Sequence, residues 1–130
     1  MNARFVFLAI LPLAVGCHTP TSPEVAGTWG GTEASLVLTA AGGTVSYPCG
    51  AGTIDSTWSL SGAGTFVATG QHFFGGGPVP VGGPPAHPAR YTGEVQGNDF
   101  TLTVTLTDLN EILGPFHLVR GGPAVQERCL

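Results

Sequence analysis

Phe100-Thr101-Leu102-Thr103-Val104-Thr105-Leu106-Thr107 decides the fold. Apolar side chains alternate with threonines without a break. A strand with one buried face and one wet face requires that period of two. Gly97-Asn98-Asp99 precedes the segment and joins it, by a tight hairpin turn, to a strand over 90–96. Ala41-Gly42-Gly43 and Ser61-Gly62-Ala63-Gly64 make similar short connections. Working outward, strands are expected near 25–31, 34–40, 43–47, 52–60, 64–73, 89–96, 99–107 and 115–120. The tail 124–129 is expected to add a short edge segment. Only 108–113 has the composition for a short turn of helix. Short connections pair neighbouring strands antiparallel, in an up-and-down meander. About eight such strands close most readily into a barrel, because closure removes the exposed edges. The expected fold is therefore all-β, a small up-and-down antiparallel β-barrel.

The chain has 21 Gly and 11 Pro, a composition that alone would suit disorder. The alternating pattern between them, with 42% hydrophobic residues, instead specifies a packed core. Residues 25–130 make one small domain, whose modest core calls for covalent staples. Lys is absent and only 9% of residues are charged. Arg90, Arg120 and Arg128 face eight acids, which excludes a basic patch and with it nucleic acid as a partner.

The N-terminus carries a different signal. Residues 5–15 are apolar apart from Pro12. That run is shorter than the roughly 20 residues a membrane span needs, and fits the h-region of a secretory signal. Leu13-Ala14-Val15-Gly16-Cys17 follows, and it resembles the lipobox of bacterial lipoproteins. Ala14 departs from the commoner Leu at its position. The resemblance implies a signal peptide over 1–16 and a diacylglycerol on Cys17, so membrane lipid is the first expected partner. Each buried acyl CH₂ adds about 0.8 kcal/mol to such an anchor. Residues 17–24, with Pro20 and Pro23, read as an extended tether. The protein is expected in the cell envelope, with its domain periplasmic or extracellular. His18 is not the Asp that retains lipoproteins at the inner membrane of enteric bacteria, so the outer membrane is expected in a Gram-negative host. An ordinary secreted protein is the alternative.

With Cys17 acylated, Cys49 and Cys129 remain, and in an oxidising compartment a disulfide is the default. It would close a long loop, for about 4 kcal/mol in the chain-entropy account. Two free thiols, or thiols at a metal site, are the alternatives.

Gly27-Thr28-Trp29 opens the first expected strand and Arg120 closes the last. This pairing resembles the lipocalins and related calycin barrels. The resemblance implies an indole across the closed end of the barrel and a guanidinium packed over it. Such a contact contributes roughly 0.5–2 kcal/mol and ties the first strand to the last.

The residues give no catalytic signature. His72, His87 and His117 are the reactive candidates, but no two have the short spacing of metal ligands on one strand, and they read as surface or loop histidines. Asp55, Glu94 and Asp108 are scattered, so no acid–base pair can be placed. Ser61-Gly62 lacks a nucleophile's context. Asp55 and Asp99 read as turn residues whose side chains cap backbone donors. No catalytic residue, metal or cofactor is assigned.

A metal-binding or enzymatic protein that brings His72, His87 and His117 together is one expectation for function, and two others stand beside it. One is a lipid-anchored barrel that binds a small apolar ligand at its mouth, through Phe66, His72, Phe73, Tyr91, Phe100 and Leu102. Phe73 and Phe74 are consecutive and must point to opposite faces. The other is a structural or protein-interaction lipoprotein with a filled barrel. It would meet another envelope protein through the Pro/Gly-rich loop 74–88, which is too long and too poor in donors for a central strand.

Overall fold

The computed structural model describes residues 24–129. The expected signal peptide 1–16, Cys17 and most of the tether 17–24 lie outside them. Among the described residues there are nine strands and no helix. They are β1 (Gly27–Gly30), β2 (Ser35–Thr39), β3 (Gly42–Tyr47), β4 (Gly50–Ile54), β5 (Ser59–Leu60), β6 (Thr65–Phe74), β7 (His87–Gln96), β8 (Asp99–Leu106) and β9 (Glu111–Arg120). Every pairing is antiparallel. The order runs β4-β3-β2-β1-β9-β8-β7-β6, and β4 pairs again with β6. Eight strands thus form a closed barrel, and β5 is an extra strand on the free half of β6.

The alternating segment behaves as its pattern demands. Phe100, Leu102, Val104 and Leu106 are fully buried, and the intervening side chains face outward. Three local readings are corrected. The expected strand 52–60 is split, because Asp55 to Trp58 make a turn closed by a Trp58 N–H to Asp55 C=O bond. The expected helical turn in 108–113 is a β-turn followed directly by β9, with Asn110 at φ 51°. Asn tolerates that left-handed conformation better than other non-glycine residues. The tail forms no edge strand.

β9 also starts earlier than its Pro115 suggested. Between the pairs Leu102↔Phe116 and Val104↔Leu113 it carries extra residues, a bulge at Gly114-Pro115. A bulge is where a proline, lacking an N–H, fits inside a sheet. It also re-aims the strand so that both Leu113 and Phe116 face inward, opposite buried partners.

One end of the interior is filled. Trp29 and Phe100 have ring centroids 5.4 Å apart, as do Phe66 and Phe100. These rings come from β1, β8 and β6 and meet across the barrel axis. Arg120 lies over the Trp29 ring, its guanidinium carbon 4.3 Å from the centroid. Arg120 also donates to the carbonyls of Ala26 and Glu24, and Trp29 Nε1 donates to Val25 C=O at 2.8 Å.

The tail is a strap along the outside. Gly121 N–H donates to Thr28 C=O, Val125 N–H to the Ser35 hydroxyl and Arg128 N–H to Pro48 C=O. A Cβ at Gly30 would collide with the Pro123 carbonyl, so glycine lets the strap lie flat on β1. The strap ends at a Cys49–Cys129 disulfide. It runs from the filled end to the turn between β3 and β4.

Two outcomes follow for stability. Arg120→Ala removes the cation–π contact and frees carbonyls at the seam, and should lower unfolding stability by about 1–2 kcal/mol in urea titrations. Arg120→Lys should recover only part of this, since an ammonium lacks the planar fork. Replacing both Cys49 and Cys129 by Ser should cost about 4 kcal/mol, read as a lower denaturation midpoint. An unchanged midpoint would show that the strap contributes nothing to stability.

Candidate functional site

The up-and-down topology gathers four connections at the other end: 31–34, 48–49, 75–86 and 107–110. Here the interior is not closed by a ring. A concavity of about 360 Å³ opens to solvent, lined by Glu33, Tyr47, Pro48, Cys49, His72, Phe74, Leu113 and Phe116. Its aromatic wall is continuous. Phe116 lies 5.6 Å from Tyr47, Tyr47 5.1 Å from His72, His72 4.7 Å from Phe74 and Phe74 5.3 Å from His87. Most of these contacts are edge-on or tilted, the arrangement aromatic quadrupoles favour.

Strand register explains the convergence. His72 pairs with Gly52 on β4 and with His87 on β7. Directly opposite residues share a face, so His72 and His87 both turn inward. Gly52 has no side chain, and Tyr91 fills the space. A Cβ there would collide with the Tyr91 hydroxyl, which reaches across to donate to Gln71 C=O at 2.8 Å. Tyr47 and His72, the buried residues of the lining, form the floor of the concavity, and Tyr91 is fully buried behind them.

Polar satisfaction is incomplete at this floor. Tyr47 is 8% exposed and His72 only 3%, yet Tyr47 Oη and His72 Nδ1 have no hydrogen-bond partner. Leaving a buried polar atom unpaired costs about 1–3 kcal/mol. Native structures seldom tolerate this without a reason. Burial, with the Tyr91 phenol beside it, pushes the Tyr47 hydroxyl far above the ordinary phenol range. Burial likewise raises Tyr91. Burial, reinforced by nearby His87, lowers His72 below the usual imidazole value, although Glu111 opposes the shift. Both phenols and the His72 imidazole are therefore neutral at neutral pH.

The rim carries carboxylates. His87 donates from Nδ1 to Asp108 Oδ2 at 2.7 Å, and this bond holds the Asp108 carboxyl below its ordinary range. Glu33 lines the concavity. Glu111 pairs in register with inward-facing Leu106.

The sequence candidates divide between the two ends. Phe66, Phe100 and Leu102 are fully buried in the packed interior, with the two phenylalanines in the plug, away from the mouth. His72 belongs to the floor, and Tyr91 is buried behind it without lining the concavity. His72 is buried, contrary to its reading as a surface or loop histidine, because it sits at an inward position of β6 in step with Phe66 and Ala68. Of the consecutive phenylalanines, Phe74 shares the inward register with His72. Phe73 turns outward, against Ala51, Pro84 and Glu127. His117 is on the outer face near the plug, 3.3 Å from Asp99, so the three histidines are not brought together. Asp55 accepts from the Thr69 hydroxyl at 3.2 Å rather than from a backbone donor, and Asp99 likewise meets a side chain, that of His117. Among the described residues no group of three or more His, Cys, Asp or Glu side chains is gathered as metal ligands would be.

Sequence reading missed Tyr47, Glu33, Leu113 and Phe116 as lining residues. Tyr47 continues the alternation of Val45 and was legible as an inward residue. Leu113 was not, because the bulge sets its facing relative to Phe116 and Leu118. Compared with known proteins, the chain matches no family model, no curated protein and no solved structure.

The Gly52–Tyr91 fit is testable. Gly52→Ala should destabilise the domain by about 1–3 kcal/mol through overpacking. Tyr91→Phe removes the atom that the new methyl meets. In a double-mutant cycle read by thermal or urea unfolding, the pair should therefore cost less than the two single changes added together. Additive costs would show that the two sites do not touch.

Proposed function

We propose that this protein is a lipid-anchored, lipocalin-like binding protein of the cell envelope that takes a small, largely apolar ligand at the mouth of its barrel. The observation that carries the reading is the unpartnered pair Tyr47 Oη and His72 Nδ1, buried at the floor of an open, aromatic-walled concavity. Small-ligand sites have this make-up, a mostly apolar lining with a few placed polar groups. A volume of about 360 Å³ lies at the lower end of such sites and suits a small molecule rather than a long acyl chain.

The direction of the chain supports the same reading. Glu24 meets Arg120 at the filled end, so a tether attached through Cys17 enters there. The mouth then faces away from the membrane. Lipid anchoring itself rests on the sequence at 13–17.

A second reading has its own observation. Val79 and Val81, in the Pro/Gly-rich connection, are 72% and 108% exposed. Exposed apolar side chains on a loop suit contact with another envelope protein.

Native mass spectrometry of the full protein, extracted from its own membranes, tests the proposal. The expected result is a retained small molecule, absent from a Phe74→Ala variant that has lost one wall. Phe74 is 42% exposed, so this change leaves the fold intact. A retained polypeptide with no small molecule would favour the loop reading instead. Bare protein, or a small molecule held equally by the variant, would count against the mouth.

A further inference from the structure

The mouth has a sign as well as a shape. Its charged rim is acidic: Glu33 lines it, Glu111 starts β9 opposite inward-facing Leu106, and Asp108 is bonded to His87. The described arginines are elsewhere. Arg120 covers the plug at the far end. Arg90 is exposed on β7, in register with outward-facing Thr69 and Thr105. Arg128 lines the neighbouring groove between the strap and Gly31. The sequence contains no Lys to supply a further cation.

The two buried polar atoms fit the same sign. A buried N–H without an acceptor is rarer than a buried lone pair without a donor. His72 therefore carries its proton on Nε2 and leaves Nδ1 as a bare acceptor. The Tyr47 oxygen can also accept. An acceptor at His72 Nδ1, carboxylates at the rim and an aromatic wall favour a positively charged guest with N–H donors. A fatty carboxylate or a phosphate would meet like charge at the rim.

Building on the ligand-binding mouth proposed above, we infer that the site selects an organic cation, a protonated amine carried on a small apolar body. The ammonium group sits at the rim beside Glu33, in the concavity that Tyr47 and His72 also line. The apolar body packs on Phe74, Leu113 and Phe116.

The test compares three probes of similar size by isothermal titration calorimetry, with the full-length protein in a non-ionic detergent at neutral pH. They are 2-phenylethylamine, 2-phenylethanol and 3-phenylpropionate. The amine should bind at least about tenfold more tightly than the alcohol, and the acid should bind most weakly. The variant with both Glu33→Gln and Glu111→Gln alters two exposed side chains and should fold normally. It should lose most of the amine's advantage while binding the alcohol as before. Tyr47→Phe should weaken the amine more than the alcohol. Equal affinity for amine and alcohol, or an amine preference that survives the Gln variant, overturns the cation assignment and leaves a neutral-ligand mouth standing. Binding of none of the three overturns it too, and the mass-spectrometric result then decides independently whether the mouth is used.

Discussion

The barrel depends on a very short seam. β1 and β9 are joined through only two residue pairs, Trp29↔Arg120 and Gly30↔Val119. The other junctions along the ring carry four to eight. Backbone bonds over so few residues are a weak closure, since each contributes only about 0.5–1.5 kcal/mol net. Side chains and the tail make up the difference. The guanidinium of Arg120 clamps the indole of Trp29 and bonds to the carbonyls of the chain leading into β1. The strap then leaves β9, crosses β1 and β2 and is fixed to the β3–β4 turn by the disulfide. One covalent tie thus holds both sides of the seam.

That closure gives the barrel two unlike ends. At the seam the indole must lie flat across the axis to meet Arg120, and Phe66 and Phe100 pack against it. The end is solid as a result. An eight-stranded barrel has room for little more than its own side chains, so whatever is spent on the plug is unavailable for a cavity there. Toward the other end Tyr91 is fully buried and reaches over Gly52 to the Gln71 carbonyl. The concavity above it follows from these two choices, a large ring laid across one end and a glycine set beneath a tyrosine near the other.

Much of the fold was legible because it depends on local periodicity. The alternation in 100–107 fixed both the state and the facing of β8, and the short turns fixed antiparallel neighbours. The pairing of Trp29 with Arg120 was legible only through the resemblance of Gly27-Thr28-Trp29 and Arg120 to the calycin pattern, and the two do meet. The split of the 52–60 segment was hidden by its apolar flanks, and the early start of β9 by its proline. The mouth was harder to read for the same reason. Its wall takes one or two residues from each of several strands, so no window of sequence contains it. Tyr47 and His72 are 25 positions apart, and they meet only because β4 pairs with both β3 and β6. The choice between Phe73 and Phe74 turned on register alone, which shifts every facing when moved by one residue.

The seam and the mouth are not independent. Cys49, which anchors the strap, also lines the concavity beside Tyr47 and Pro48. Pro48 accepts from the Arg128 backbone on one side and borders the mouth on the other. The turn between β3 and β4 is therefore held from outside by the same disulfide that secures β1 to β9. A concavity rimmed by mobile loops would lose much of its binding energy to ordering them. Here the β3–β4 turn is covalently fixed, and the β8–β9 turn is tied to β7 through His87 and Asp108. Two of the four connections at the open end are thus restrained by interactions already present without a guest. Tyr47 and His72 remain buried and unpartnered within that restrained frame, and such preorganisation suits a binding site better than a packing defect would.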